Sequence, residues 1–166
     1  MKIRLQVATP DDAADLVALH SAVSADLTAR YGKGHWTSNA SERGVLFRMT
    51  RSTIYVARHQ KRLVATLALS TRKPWAIDTS YFSRSERPLY LTGMAVAPDC
   101  QRRGIGRLCL EQAREIARKW PGDAVRLDAY DAPAGGGEFY RKCSFREVGR
   151  AAYRGNPLIY FEALLE

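Results

Sequence analysis

The sequence predicts an α+β fold built from about seven strands and four helices. Two observations support this prediction. Apolar residues recur with the period of a strand in several short segments and with the period of a helix in others, and the two kinds of segment alternate along the chain. The 166 residues contain no internal repeat, low-complexity tract or Pro/Gly/Ser-rich linker, so we expect a single domain, residues 1–166, with its own core.

The first third of the chain is predicted to be mostly helical. Apolar and polar residues alternate over residues 3–7, which indicates a first strand. Thr9 and Pro10 then have the residue types of an N-cap and a first helical position, and the following apolar residues keep one helical face to about residue 30. A second, short helix is predicted from about Ser41 to Met49.

The remaining strands are short apolar or β-branched runs bounded by polar residues, glycine or proline. They are predicted at Thr53–Arg58, Leu63–Ser70, Leu89–Val96, Val125–Tyr130, Arg146–Tyr153 and Leu158–Leu164. Two further helices are predicted, an amphipathic one at Ile105–Trp120 and a short one at Glu138–Cys143. Gly93 interrupts the fourth strand, and a glycine there marks a bulge or the close approach of another group. The element order is β-α-α-β-β-β-α-β-α-β-β.

A strand, a glycine-containing turn and a helix start follow one another around the run Gln-Arg-Arg-Gly-Ile-Gly at 101–106. The first N–H groups of a helix have no partner within it, and the helix dipole places partial positive charge there. Glycine lets the backbone close on a ligand, and the neighbouring arginines add full charges. This arrangement is typical of a pyrophosphate site, and the alternative is a tight surface turn that caps the helix.

The turn differs from two common phosphate motifs. A Walker loop needs G-x-x-x-x-G-K-[ST], which the chain lacks, and a dinucleotide fingerprint needs a third glycine where Cys109 stands. The pattern Q/R-x-x-G-x-G/A after an apolar strand instead resembles the signature of the GNAT superfamily of acyl-CoA N-acyltransferases. With the element order, the resemblance covers nearly the whole chain and is strongest from Leu89 to Phe145.

The resemblance implies a three-layer α+β fold with a mixed, mostly antiparallel sheet whose fourth and fifth strands splay apart. It also implies acetyl-CoA as the cosubstrate, with the pantetheine arm paired to the fourth strand at Met94, Ala95 and Val96. No metal is expected. The residues of the turn that are expected to bind the cofactor are Gln101, Arg102, Arg103, Gly104, Ile105, Gly106 and Arg107.

The family's proton donor is usually a tyrosine in a motif like F-Y-x-x-x-G-F. The segment Phe139–Phe145 matches this motif except at Ser144, where glycine is usual. The resemblance therefore implies that Tyr140 is the general acid for the leaving thiolate. The alternatives are that Tyr140 only donates a hydrogen bond to the sulfur, or that it is a half-buried packing residue. We expect position 144 to need a left-handed backbone, which serine adopts less readily than glycine.

Two further departures lie just before Tyr140. Many relatives have an asparagine seven residues before the tyrosine, where this chain has Pro133, and Asp131 is the neighbour that could substitute for it. Three consecutive glycines, residues 135–137, are expected to weaken the short helix.

The acceptor pocket is expected from two variable segments, Tyr31–Thr37 and Thr71–Pro88. Aromatic and acidic residues of these segments could wall the pocket and attract an amine, namely Trp36, Trp75, Tyr81, Phe82, Asp78 and Glu86. The alternative is that the aromatic residues cover the sheet edge and fix the loops. The general base stays open among Glu86, Asp78, Asp128, His20 and His35.

Composition limits the alternatives. The formal charge of +9 is spread from Lys2 to Arg154 without a dense basic run, so it indicates a solvated surface or attraction to an acidic cofactor more than a nucleic-acid groove. No stretch approaches the roughly 18 apolar residues of a membrane span. The odd set of three cysteines without metal-ligand spacing, and the lack of a secretory apolar segment, indicate a cytoplasmic protein with reduced thiols.

We therefore predict an N-acetyltransferase that moves an acetyl group from acetyl-CoA to a primary amine of a small molecule, an amino acid, or a protein N-terminus or lysine. The first alternative is a catalytically weak acyl-CoA-binding sensor of the same fold. The second is a basic nucleic-acid-binding protein, which rests on charge alone. Exposed edge strands invite pairing, so the final strands could form a homodimer.

Overall fold

The computed structural model describes residues 2–37 and 39–166, and within them seven strands form one mixed sheet. In chain order the strands are β1 Leu5–Val7, β2 Thr53–His59, β3 Arg62–Ser70, β4 Pro88–Val96, β5 Ala124–Tyr130, β6 Arg146–Tyr153 and β7 Asn156–Leu164. They lie side by side in the order β1-β2-β3-β4-β5-β7-β6. Strand β4 runs parallel to β5, whereas the pairs β1–β2, β2–β3, β5–β7 and β6–β7 are antiparallel. The predicted fold class is confirmed.

The helices flank this sheet at the predicted places. They are α1 Ala13–Tyr31, α2 Glu42–Met49, α3 Ile105–Lys119 and α4 Gly137–Lys142. A 3-10 turn at Pro10–Asp12 precedes α1, so the α-helix itself begins later than the proline suggests. Thr9 is the N-cap of this turn, as predicted, and its amide donates to the Asp12 carboxylate at 2.8 Å. Ser41 caps α2 by accepting a hydrogen bond from the amide of Gly44 at 3.1 Å.

The chain divides into two compact units. Unit 1 comprises Met1–Leu69 and Thr92–Ala113, and unit 2 comprises Ser70–Leu91 and Arg114–Glu166. Within unit 1, strand β3 is buried at every position except its two ends, which is typical of a strand covered on both faces. The part of α3 in unit 1 buries Ile105, Cys109 and Ala113, as its period predicts.

Unit 2 contains the start of β4, which pairs with β5 over a short distance only. The ladder runs from Pro88 opposite Ala124 to Tyr90 opposite Arg126, although both strands continue. Strand β5 goes on pairing with β7 as far as Tyr130. This short ladder agrees with the predicted splaying of the fourth and fifth strands.

The long segment between β3 and β4 is anchored in unit 2 by buried side chains. Ile77 and Phe82 belong to a core cluster with Tyr90, Leu158 and Tyr160. The Tyr160 hydroxyl accepts from the backbone amide of Asp78 at 3.3 Å and donates to a carbonyl of the same segment. The segment therefore has apolar and polar anchors of its own.

A buried carboxylate provides the second anchor of this segment. Glu162 of β7 is 1% exposed and accepts hydrogen bonds from the Ser83 amide at 3.1 Å and the Ser83 hydroxyl at 2.5 Å. Arg146 donates to the same carboxylate at 2.5 Å. Burial alone would raise the pKa of Glu162, but the hydrogen bonds from Ser83 and Arg146 hold it below its ordinary value. The carboxylate is thus a satisfied structural group.

The three cysteines, Cys100, Cys109 and Cys143, are free and buried. Burial raises the pKa of the Cys109 thiol to about 11. Across the described ranges, no group of three or more His, Cys, Asp or Glu residues is placed to hold a metal ion. None of the helices in those ranges is long and apolar enough to cross a membrane.

Candidate functional site

The turn before α3 lies at the end of β4 in unit 1. The side-chain amide of Gln101 donates to the carbonyl of Val96 at 3.0 Å and so ties the turn to the strand. Arg102 and Gly104 have positive φ angles of 61° and 80°, which lets the chain turn sharply into the helix. Leu108 donates to the carbonyl of Gly104 at 3.0 Å, so the amides just before it have no acceptor within the helix.

Arg102 and Arg103 place positive charge on this turn. Arg102 and Arg103 are exposed, and neither forms an ion pair with any carboxylate in the described part of the chain. A Cβ at Gly104 would meet no atom within 4 Å, so the space beside the backbone is open to a ligand. Helical amides, open backbone and two free guanidinium groups fit a pyrophosphate. The other predicted turn residues, Ile105, Gly106 and Arg107, form the first turn of α3.

The last residues of β4 precede this turn. Ala95 is buried, and Met94 and Val96 are half-buried. Gly93 has a φ of 61°, and a Cβ there would collide with the guanidinium group of Arg48. The close approach that a glycine inside a strand predicts is therefore made by a side chain of α2.

Tyr140 lies in unit 2 on α4, and its ring is buried among aromatic residues. The ring centroids of Phe139, Phe145 and Phe161 lie 5.2, 5.8 and 5.9 Å from that of Tyr140. Its hydroxyl group has no hydrogen-bond partner among residues 2–37 and 39–166. Burial raises the pKa of Tyr140 well above its ordinary value, with smaller contributions from Asp128 and Cys143. The phenol therefore keeps its proton at neutral pH.

The C-terminus of α4 forms a Schellman motif. The amide of Phe145 donates to the Tyr140 carbonyl at 3.0 Å, and the amide of Ser144 donates to the Arg141 carbonyl at 3.1 Å. Ser144 has a φ of 64°, so the predicted left-handed backbone is confirmed. Arg114 donates to the Cys143 carbonyl at 2.6 Å and stacks on the Phe145 ring at 4.8 Å. The end of the tyrosine's helix is thus fixed by backbone and side-chain contacts.

Packing explains the first of the three glycines before Tyr140. A Cβ at Gly135 would collide with the carbonyl of Tyr130, and Gly136 is the N-cap of α4. The carboxylate of Asp131, the predicted substitute for the missing asparagine, pairs with Arg150 at 3.2 Å. Pro133 is exposed.

Helices α1 and α2 of unit 1 line a cavity of about 520 Å³. Trp36, which the sequence assigns to the acceptor pocket, and His20, one of the candidate bases, line it together with Arg48. The ring of His35, another candidate base, lies edge-on to Trp36 at 5.2 Å. Sequence reasoning missed Arg48. The available signal was a cation at i+3 on the helical stripe that Val45 begins and Met49 continues.

The other predicted acceptor residues belong to unit 2. Trp75 is 87% exposed, and Glu86 is an exposed carboxylate 3.9 Å from Arg87. Tyr81 packs edge-on against Tyr160 at 5.3 Å, which favours its alternative role of covering the sheet. The Asp78 carboxylate accepts from the Ser80 amide at 3.0 Å and the Ser80 hydroxyl at 2.7 Å, and these bonds lower its pKa.

Solved structures share this architecture. An N-acetyltransferase from Staphylococcus aureus Mu50 is 14% identical, with a TM-score of 0.72 and 100% of each chain covered. The PaiA N-acetyltransferase from Thermoplasma acidophilum, in complex with coenzyme A, is 15% identical, with a TM-score of 0.72, 96% of this chain and 98% of that chain covered. A ribosomal-protein-alanine N-acetyltransferase from Brucella melitensis is 17% identical, with a TM-score of 0.71, 98% and 99% covered. At these identities the likeness shows the fold.

Sequence comparison gives the family. No curated protein sequence matches the chain significantly. The family model described as "Acetyltransferase (GNAT) family" matches residues 17–145, which is more than half of the chain. The protein therefore belongs to the GNAT family of acetyltransferases.

Proposed function

We propose that this protein is an N-acetyltransferase that transfers an acetyl group from acetyl-CoA to a primary amine of a small molecule, an amino acid or a protein. The main observation in support is the turn before α3, where two exposed arginines, neither paired with a described carboxylate, immediately precede the start of a helix. A structural neighbour was solved in complex with coenzyme A, which agrees with this cosubstrate. Residues 1–166 would form one catalytic domain, which we expect in the cytoplasm.

Both backbone and side-chain groups would bind acetyl-CoA. The amides at the start of α3 donate to the pyrophosphate oxygens, and the guanidinium groups of Arg102 and Arg103 neutralise its charge. Gly104 leaves the space beside the backbone open to these oxygens. The last residues of β4, Met94 to Val96, would pair with the pantetheine arm.

The thioester supplies an activated acyl carbon with a thiolate as leaving group. The acceptor nitrogen attacks that carbon, the C–S bond breaks, and a base takes the proton that the nitrogen loses. Backbone amides of β4 would polarise the carbonyl oxygen by donating to it. The Tyr140 hydroxyl would give its proton to the departing sulfur, and its raised pKa keeps that proton in place until the sulfur becomes basic.

Calorimetric titration of acetyl-CoA into the purified protein tests this proposal. We expect saturable binding at one site, and release of thiol when a panel of amines is added. The Arg102→Gln/Arg103→Gln variant should bind about 30-fold more weakly, since it removes two guanidinium–phosphate contacts that each contribute about 1 kcal/mol at an exposed site. The Arg4→Gln/Arg84→Gln variant removes the same charge from other exposed positions and should bind like the wild type.

Two results would count against the proposal. No binding at millimolar acetyl-CoA would remove the pyrophosphate site and reopen the nucleic-acid alternative, which predicts affinity that falls steeply with salt. Saturable binding without turnover of any amine would instead favour the acyl-CoA sensor.

A further inference from the structure

The cavity of unit 1 has one charged side chain among its lining residues, and that charge is positive. The cavity measures about 520 Å³, and Arg48 of α2 is the only Asp, Glu, Lys or Arg residue among the described residues that line it. The polar remainder includes His20, Ser24 and Ser41. Because the described lining contains no carboxylate, the cavity does not suit an acceptor that carries a further positive charge besides its reacting amine.

The charge of Arg48 has no partner among the residues that the structure describes. Its guanidinium group is half-buried and makes neither an ion pair nor a hydrogen bond with any residue that the structure describes. Burial lowers the pKa of Arg48, yet an arginine side chain stays protonated in proteins. A partly desolvated cation without a counter-charge is costly, so an anion that enters the cavity would gain from both charge and hydrogen bonding.

The guanidinium group also lies directly against β4. Gly93 leaves it the space that a side chain would fill. Gly93 immediately precedes Met94, where the strand segment proposed to hold the acyl donor begins. An anion on Arg48 would therefore lie beside that segment.

His20 provides a second polar group without a partner. Its Nε2 atom is buried and forms no hydrogen bond with any residue that the structure describes. Buried polar atoms are nearly always satisfied in proteins, so an orphan next to a cavity points to a ligand or water that completes it.

We propose that Arg48 binds the carboxylate of the acceptor, and that the acceptor is a free amino acid or a similarly small amine bearing a carboxylate. This inference rests on the proposed function and names its substrate class. The planar guanidinium donates two parallel N–H bonds to the two carboxylate oxygens, which fixes the orientation of the molecule and hence of its amine. Ligand pockets commonly measure about 300–1,000 Å³, so the cavity has room for an amino-acid side chain.

Matched acceptor pairs test the inference. Each standard amino acid is compared with its carboxamide, which keeps the amine and the side chain but replaces the carboxylate by a neutral group. With acetyl-CoA at saturation, thiol release should show at least one pair in which kcat/KM of the acid exceeds that of the amide by about 30-fold, the size expected for a charge-assisted hydrogen-bond pair.

Three variants assign that preference to one side chain. Arg48→Gln should abolish the preference by lowering kcat/KM of the acid and leaving that of the amide within about threefold, with acetyl-CoA affinity unchanged. Arg48→Lys keeps the charge but loses the planar fork, so it should retain part of the preference. Arg43→Gln removes an exposed arginine of the same helix and should behave like the wild type.

The outcomes separate this inference from the proposed function. If acetyl-CoA fails to bind, the proposed function is wrong and the inference falls with it. If acetyl-CoA binds but amides react as fast as acids, or if neither member of any pair reacts while another amine of the panel does, the inference alone is overturned. Equal losses for acids and amides in Arg48→Gln would show that Arg48 only supports the fold, and Arg48→Lys repeats that comparison should the glutamine variant not fold.

Discussion

The turn before α3 in unit 1 and helix α4 in unit 2 place their candidate functional groups in opposite surroundings. The turn presents exposed arginines and backbone amides, whereas α4 buries Tyr140 among three aromatic rings. The exposed guanidinium groups are accessible to a phosphate in solution, whereas burial keeps the Tyr140 phenol protonated at neutral pH by raising its pKa. Binding and proton transfer therefore place different demands on the fold.

The arginines of the two regions differ in the same way. Three arginines of α4 and β6 are paired with carboxylates: Arg141 with Glu147 at 2.9 Å, Arg150 with Asp131 at 3.2 Å and Arg146 with Glu162 at 2.5 Å. Around the turn, Arg102 and Arg103 have no such partners in the described chain. The charge available to a ligand is thus better judged from pairing than from the formal total of +9.

The largest effect is expected from removing the hydroxyl group of Tyr140. Tyr140→Phe is expected to lower kcat about 100-fold, because general acid catalysis contributes 10²–10⁴-fold, while the Kd for acetyl-CoA stays the same. Steady-state kinetics and calorimetry measure the two quantities. Tyr153→Phe deletes a hydroxyl from the same unit and should leave both unchanged. Equal turnover by Tyr140→Phe and the wild type would exclude Tyr140 as the acid.

Two glycines with the same backbone φ angle provide a test of the proposed pyrophosphate site. Gly104 and Gly155 both have a φ of 80° and open space at the Cβ position. Alanine at either site should lower the free energy of unfolding by about 1 kcal/mol, measured by urea denaturation. Only Gly104→Ala should also weaken acetyl-CoA binding, by about tenfold, because its methyl group would meet the pyrophosphate. Equal affinities in the two variants would contradict the site.

The Schellman motif offers a smaller effect in unit 2. Ser144→Gly should raise the free energy of unfolding by about 0.5–1 kcal/mol, since glycine relieves the left-handed strain but gains freedom in the unfolded chain. For a chain of this size, thermal denaturation should show a rise in Tm of about 2 °C. Ser144→Ala deletes the hydroxyl without relieving the backbone, so a gain of the same size there would contradict the explanation.

The two units should also differ in the pH range over which a buried group lowers the stability of the protein. The pKa of His20 in unit 1 is lowered by burial and, to a smaller extent, by the charge of Arg48. As the pH drops below 6.5, His20 is therefore protonated in the unfolded chain before it is protonated in the folded one, and the free energy of unfolding decreases. The raised pKa of Tyr140 in unit 2 has the opposite result, a loss of stability as the pH rises above 10.0. Denaturation profiles should show that His20→Leu flattens the acid limb and Tyr140→Phe the alkaline limb. Unchanged limbs would contradict these assignments.

Local patterns predict much of the fold because each depends on neighbours in sequence. The period of α3, the cap at Ser41 and the left-handed position of Ser144 are all set by residues a few places apart. The positive turn before α3 was predictable for the same reason, since strand, glycine and helix follow one another there.

Features that depend on distant residues were not predictable in this way. The space for Arg48 is made by Gly93 on another element, and the carbonyl that excludes a side chain at Gly135 belongs to Tyr130. The anchoring of the long segment depends on Glu162, far along the chain. A single sequence does not state which residues the topology brings together, so the place of Arg48 against Gly93 had to come from the structure.

The burial of all three cysteines has a practical consequence for following the reaction. Coloured thiol reagents can report released coenzyme A continuously, because Cys100, Cys109 and Cys143 are shielded and should contribute little background signal. The raised pKa of Cys109 further slows any reaction with such reagents, since the thiolate is the reactive form. The same shielding suits the native chain to a single added label. A dye attached through Arg43→Cys, next in sequence to the cavity-lining Gly44, should report acceptor binding by fluorescence.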